Sequence, residues 1–161
     1  MGTVVSKTTL SGIRTTLRDA RKKVVFTNGC FDLVHRGHVE YLTKAKSMGD
    51  VLIVGVNTDR SVRVLKGPLR PIVEEEDRAA VVASLAPVDY VCLFDEDTPL
   101  ELIRLLVPDV LVKGADWPIE AVVGREIVER AGGVVKTIEY LSNRSTSQII
   151  EKIVRAASRK P

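Results

Sequence analysis

The chain has 161 residues, a length that fits one domain. Its 45% hydrophobic and 28% charged residues are ordinary for a globular protein and exclude wholesale disorder, collagen and coiled coil. The longest uncharged stretch, Ala79 to Val88, is ten residues, so no membrane-spanning helix is expected, and the net charge of +3, without any block of five like charges, gives no argument for a nucleic-acid partner and leaves the partner to the motifs.

Residues 1–21 carry Lys7, Arg14, Arg18 and Asp19 and no apolar signal-peptide core. They are expected to add a helix, from about Ser11 to Ala20, to the domain. Cys30 and Cys92 cannot form a disulfide framework, which points to a reducing, cytoplasmic compartment. Five short β-rich runs follow: Val24–Phe26, Val51–Val56, Val88–Leu93, Asp109–Val112 and Val134–Ile138. Several are apolar on both faces, as strands of a parallel sheet covered on both sides are.

Helical patterns lie between these runs. In 38–48, Val39, Leu42, Ala45 and Met48 recur every three residues and Gly49 stands as a C-terminal cap. In 98–106, Thr98 caps, Pro99 takes the first helical position and Glu101 completes a capping box. Ser145 to Gln148 form a second box, opening a helix expected to bury Ile149, Ile150, Ile153 and Val154. Alternation of strand and helix predicts an α/β fold: a doubly wound, Rossmann-like, five-stranded parallel sheet with helices on both faces, spanning 1–161 as one domain. Ligands of such sheets bind beyond the carboxyl ends of the strands.

The strongest chemical signal follows the first of these runs. Thr27-Asn28-Gly29-Cys30-Phe31-Asp32-Leu33-Val34-His35-Arg36-Gly37-His38 leads into a helix and holds the only two histidines of the chain. Two imidazoles three residues apart at a helix start can hold a polyphosphate beside unpaired backbone N–H groups, and Gly37 permits close approach. The bland alternative is a solvated helix cap. A zinc set of Cys30, Asp32, His35 and His38 fits no common spacing. Lys113-Gly114 passes the strand-end test, with a simple turn as its alternative. Ser145, Thr146 and Ser147 offer hydroxyls and N–H groups to phosphate, with plain capping as theirs. Lys66 lies in a Gly/Pro loop able to close over phosphates, flanked by Arg63 and Arg70. Glu74, Glu75, Glu76 and Asp77 are read as solvated charges favoured by a helix dipole.

His35-Arg36-Gly37-His38 in its context resembles the HxGH signature of the cytidylyltransferase-like nucleotidyltransferases, and the likeness runs from Lys23 to about Ile153. Val64 to Pro71 resembles the loop bearing a substrate-binding lysine, and Asp77-Arg78 the arginine-bearing helix after it. Lys113-Gly114-Ala115-Asp116-Trp117 resembles a nucleotide-binding element, and Arg144-Ser145-Thr146-Ser147 the family's final Ser-Thr-Thr motif. Within the superfamily the likeness is to the D-glycero-β-D-manno-heptose 1-phosphate adenylyltransferases.

The resemblance implies transfer of AMP from ATP to a heptose 1-phosphate, with release of pyrophosphate. It implies His35, His38, Lys66 and Arg144 as catalytic residues. Thr27, Asn28, Gly29, Phe31, Gly37, His38, Lys113, Gly114, Asp116, Ser145, Thr146 and Ser147 would bind nucleotide. Asp32, Lys66, Arg70, Arg78 and Trp117 would bind acceptor. Mg²⁺ is expected with the nucleotide, held mainly by phosphate oxygens and water, with Asp32 as the one carboxylate placed to assist. A homodimer is implied. The alternatives are a CTP-dependent enzyme acting on glycerol 3-phosphate or a similar alcohol phosphate, and a non-catalytic nucleotide-binding domain.

Overall fold

The computed structural model describes residues 1–115, 118–139 and 145–158. The strands are β1 (Thr3–Val4), β2 (Val24–Gly29), β3 (Val51–Asn57), β4 (Tyr90–Phe94), β5 (Val110–Gly114) and β6 (Val134–Ile138). The helices are α1 (Lys7–Asp19), α2 (Arg36–Lys46), α3 (Asp59–Lys66), α4 (Glu75–Ser84), α5 (Leu100–Leu106), α6 (Arg125–Arg130) and α7 (Thr146–Ser158). All strands pair parallel in the order β1-β4-β3-β2-β5-β6.

The sheet therefore has six strands rather than the expected five. The addition is β1, whose Thr3 and Val4 lie opposite Tyr90 and Val91. Two residues carry no readable periodicity; the edge of β4 selects them. The N-terminal segment is thus a strand followed by a helix, and that helix starts four residues before the expected Ser11. Ser6 caps it, accepting from the Thr9 N–H, and Leu10 is fully buried.

Helices cover both faces. Val25, Leu42, Leu52, Val54, Ala79 and Val82 pack on one side, under α2 and α4. Leu10, Val24, Phe26, Ile53, Ile103 and Leu106 pack on the other, under α1 and α5. Consecutive β2 residues alternate between these layers, which is why the run is apolar at both parities.

Several local expectations change. α2 ends at Ser47, and Gly49 is no left-handed cap. It is needed for a close approach instead: a Cβ there would sit 2.7 Å from the Lys23 carbonyl oxygen. Pro99 occupies the N-cap of α5 and no side chain caps it, so the Thr98 box does not form. Ser145 does cap, its Oγ accepting from the Gln148 N–H at 3.2 Å. α7, however, buries none of its residues, and Ile153 and Val154 are 58% and 55% exposed. Ile149 and Ile150 are half-buried, so the described residues cover only the first part of its apolar side.

β2 and β5 run further than their apolar cores suggest. Asn28, Gly29, Lys113 and Gly114 are therefore the last strand residues rather than loop residues. β2 is the strand from which the order departs in both directions, toward β3 and toward β5. None of the helices among the described residues is long and apolar enough to cross a membrane.

Candidate active site

A cleft of about 510 Å³ opens at this switch point, over the carboxyl ends of β2, β3 and β5. Asn28, Gly29, Phe31, His38, Lys66, Arg70, Lys113, Gly114 and Ser145 to Ser147 line it, so the sequence segments expected to converge do converge. Asp116, Trp117 and Arg144 lie outside the described residues.

The entry to α2 is built by a sharp turn. Phe31 adopts a left-handed backbone conformation (φ +49°), uncommon for a bulky side chain and of the kind that collects at functional sites. The turn stands the Phe31 ring 5.2 Å from that of His38. His35 is the N-cap of α2, its Nδ1 accepting from the Gly37 N–H at 3.1 Å. Its ring stacks on His38 with centroids 4.0 Å apart.

Burial, helped by the neighbouring His35, pulls the His38 pKa down to about 4. His38 is therefore neutral at pH 7 and offers a ligand one N–H donor without a desolvated charge. Two buried side-chain polar atoms have no hydrogen-bond partner among the described residues: His38 Nδ1 and Asn28 Oδ1. Both residues line the cleft. A buried polar atom left unsatisfied costs roughly 1–3 kcal/mol, so two such atoms in residues of one cleft mark a place where ligand replaces missing partners.

The cationic groups enter from the facing segment. Thr58 caps α3, and Gly67, with φ +95°, closes it. Lys66 is thus the exposed last residue of a helix, not part of a loop as expected. Arg70 lines the cleft and donates through Nε to Asp32 Oδ2.

Asp32 also lines the cleft and is held there by that contact and two more. Its side chain is fully buried, and Oδ1 accepts from the N–H groups of Ile72 (2.8 Å) and Val73 (3.0 Å). Three donors take three of the roughly four lone-pair sites of the carboxylate, and they tie the 70–73 segment to the histidine turn.

Arg78 is structural rather than an acceptor ligand. At 1% exposure it donates to the carbonyl oxygens of Val73 (2.8 Å) and Cys30 (2.6 Å) and to Asp59 Oδ1 (2.8 Å). Thr27 lies beneath the cleft floor, fully buried, its Oγ1 2.7 Å from the Tyr41 hydroxyl. Gly37 is buried, with its N–H committed to His35. Of the acidic run, Glu75 is not simply solvated: its Oε2 accepts from the Asp59 N–H at 2.6 Å.

Three lining residues were missed as ligand candidates, Tyr41, Asn57 and Leu65, and Cys30, weighed only in a zinc set, lines the cleft as well. Asn57 ends β3, so the strand-end rule would have found it. Tyr41 lies three residues after His38, on the same helix side. Leu65 and Cys30 carry no comparable signal. Burial raises the Cys30 thiol pKa more than Lys66, Arg78 and Arg70 lower it, so the thiol stays protonated. Among the described residues, no group of three or more His, Cys, Asp or Glu side chains is placed to hold a metal ion.

The parallel sheet thus has a cleft at its switch point, lined by His38 of the entering helix and by the hydroxyl-rich start of α7. The cytidylyltransferase-like family profile matches residues 26–152, and the chain belongs to that family.

The chain is 63% identical over 133 residues to the bifunctional protein HldE of Citrifermentans bemidjiense, covering 83% of this chain and 27% of that protein. It is 56% identical over 147 residues to HldE of Geobacter metallireducens, covering 91% and 30%. The chain thus spans under a third of the length of these relatives. Among solved structures, the lipopolysaccharide core biosynthesis protein of Thermoplasma volcanium superposes with a TM-score of 0.62 at 28% identity, over 76% of this chain and 99% of that one. Pantoate–β-alanine ligase of Francisella tularensis, at 16% identity and a TM-score of 0.61, shares the fold over 99% of this chain and 80% of its own.

Proposed function

We propose that the protein transfers AMP from ATP to a heptose 1-phosphate, releasing pyrophosphate and forming an ADP-activated heptose for a surface glycan such as lipopolysaccharide. The observation that carries this reading is the convergence of His38, Lys66, Arg70 and Ser145 to Ser147 on one cleft beside two orphaned polar atoms. The likeness to HldE proteins and to a lipopolysaccharide core biosynthesis protein supports the acceptor class.

In this reaction a phosphate oxygen of the acceptor attacks the α-phosphorus of ATP. The bond to the bridging oxygen breaks, and pyrophosphate leaves with the electron pair. The acceptor is already an anion, so no general base is needed, and catalysis is positioning plus charge stabilisation. A neutral His38 suits that work: it donates a hydrogen bond to the α-phosphate as charge shifts, with no proton transferred. His35 orients it by stacking. The start of α7, with Ser145 to Ser147, receives the β- and γ-phosphates. Lys66, Arg70 and Arg144 draw charge from acceptor phosphate and pyrophosphate. Mg²⁺ would come with the nucleotide and offset triphosphate charge, held mainly by phosphate oxygens and water, with Asp32 as the carboxylate on the cleft wall to assist. The protein is taken to act as a cytoplasmic homodimer.

The test is a matrix of nucleoside triphosphates against phosphorylated acceptors, read by pyrophosphate release. ATP with D-glycero-β-D-manno-heptose 1-phosphate is expected to lead, exceeding CTP in kcat/KM by about tenfold or more, a difference of roughly 1.4 kcal/mol between transition states. Preference for CTP with glycerol 3-phosphate would overturn the acceptor and nucleotide assignments.

A further inference from the structure

Among the described residues, three that are not glycine have a left-handed backbone: Arg21, Phe31 and Val107. Of these, Phe31 lines the catalytic cleft. That conformation is costly for a bulky side chain and persists where surrounding contacts over-determine it.

Arg78, on α4 and only 1% exposed, supplies such contacts. Its Nη1 donates at 2.6 Å to the carbonyl oxygen of Cys30, the residue before Phe31. Its Nε donates at 2.8 Å to the carbonyl oxygen of Val73. The Val73 N–H in turn donates at 3.0 Å to Oδ1 of Asp32, the residue after Phe31. Cys30, Arg78, Val73 and Asp32 thus close a hydrogen-bonded ring around the Phe31 backbone. The third arm, from Nη2 to Asp59 Oδ1 at 2.8 Å, moors the guanidinium to the start of α3, where Glu75 holds the Asp59 N–H. A planar fork of donors can bond three segments at once, whereas a lysine ammonium is a point charge.

The turn fixes where the Phe31 ring stands. The residue is 4% exposed and packs on Gly29, where a Cβ would sit 3.1 Å from the ring. Its ring centroid lies 5.2 Å from that of His38, whose burial depends on that neighbour and on the stacked His35.

We infer that Arg78 is a positioning residue for His38: by holding the Cys30 carbonyl it keeps Phe31 left-handed, and the Phe31 ring in turn keeps His38 dry and in place on the cleft wall. The inference rests on the adenylyltransferase reading above for the role of His38 in turnover.

Arg78→Lys keeps the charge and removes the fork. A nuclear magnetic resonance titration of the two histidines, without substrates, reads the positioning. Burial, with His35 as the titratable neighbour, holds the His38 pKa at about 4. In the variant it should rise by about one pH unit or more as water reaches the ring. Turnover should fall by about tenfold or more, while the acceptor KM stays within about twofold. Phe31→Gly removes both the ring and the strain, so adding Arg78→Lys in that background should lower turnover by less than about twofold further. Asp59→Asn, at a side chain 22% exposed, loosens the same mooring and should give the same shifts on a smaller scale even where Arg78→Lys does not fold. An unmoved His38 titration in the folded variants overturns the inference. So does additivity in the cycle, or a raised acceptor KM with kcat intact, which would return Arg78 to the acceptor. If the titration moves as expected while no pair of triphosphate and sugar phosphate turns over, the positioning stands and the adenylyltransferase reading fails.

Discussion

The two ends of the sheet make an instructive pair. At the amino ends of the strands, Arg14, Arg18, Arg21, Lys22 and Lys23 surround a concavity of about 390 Å³, more cationic than the cleft at the carboxyl ends. Yet much of its polar chemistry is already spent. Arg14 donates to the carbonyl oxygens of Leu106 (2.7 Å) and Val107 (3.0 Å), and its desolvation lowers its pKa despite Asp109. Asp109 accepts from the Val24 N–H, Asp50 from the Lys23 N–H and Asp89 from the Leu52 N–H, so carboxylates close the starts of the strands. At the opposite end, Asn28 Oδ1 and His38 Nδ1 stay open. Count of charge does not make a site; donors and acceptors held in place with nothing yet bonded to them do.

The largest effect that would break this contrast is removal of the carboxylate holding the catalytic end together. Asp32→Ala leaves Arg70 and two backbone N–H groups unmatched around a fully buried position. It should cost about 3–5 kcal/mol in urea unfolding, as loss of one partner of a buried pair does. A change below 1 kcal/mol would mean that Asp32 is free for ligand after all.

His38→Ala should lower kcat by about 10²-fold, roughly 2.7 kcal/mol of transition-state stabilisation. Its melting temperature at pH 7 should barely move, because the neutral ring there makes no protein hydrogen bond through Nδ1. Near-normal turnover would remove His38 from the mechanism.

A pH experiment sharpens the same point. The folded pKa of His38, about 4, lies below its ordinary value of 6.5, so the unfolded chain takes up the proton first. Stability is therefore full above pH 6.5 and falls as pH drops toward 4, by roughly 2 kcal/mol near pH 5. Denaturant titrations of wild type and His38→Ala should diverge across that window and run parallel above pH 7. Parallel curves throughout would contradict the depressed pKa.

Lys66→Ala should reduce kcat/KM by about tenfold or more, with unchanged melting, since the side chain is exposed at the end of α3. The smallest effect belongs to the other end of the sheet. Arg18→Ala and Arg21→Ala should leave turnover within about twofold of wild type. A tenfold loss there would show that the basic concavity takes part in the reaction.

Much of this was written locally. Alternating β-rich runs and helical periods announced a doubly wound sheet because burial on both faces imposes that pattern. The histidine pair, Lys113-Gly114 and Ser145 to Ser147 were legible because strand ends and helix starts carry unpaired backbone groups wherever they occur. Length-two strand β1 was not, since two residues define no period, and Lys66 read as a loop because its neighbours Gly67 and Pro68 mask a helix that only Thr58 and Gly67 delimit.

What the sequence determined by itself, then, was the order of the elements and the residue types able to meet phosphate, because both follow from local periodicity and side-chain chemistry. Only the tertiary structure decided which polar groups are spent and which are open. Arg78 looks like a ligand in one dimension, yet it is buried and bonded to partners up to 48 residues away. Hydrogen-bond satisfaction depends on atoms brought together from distant segments, and the chain acquires that information only when it folds.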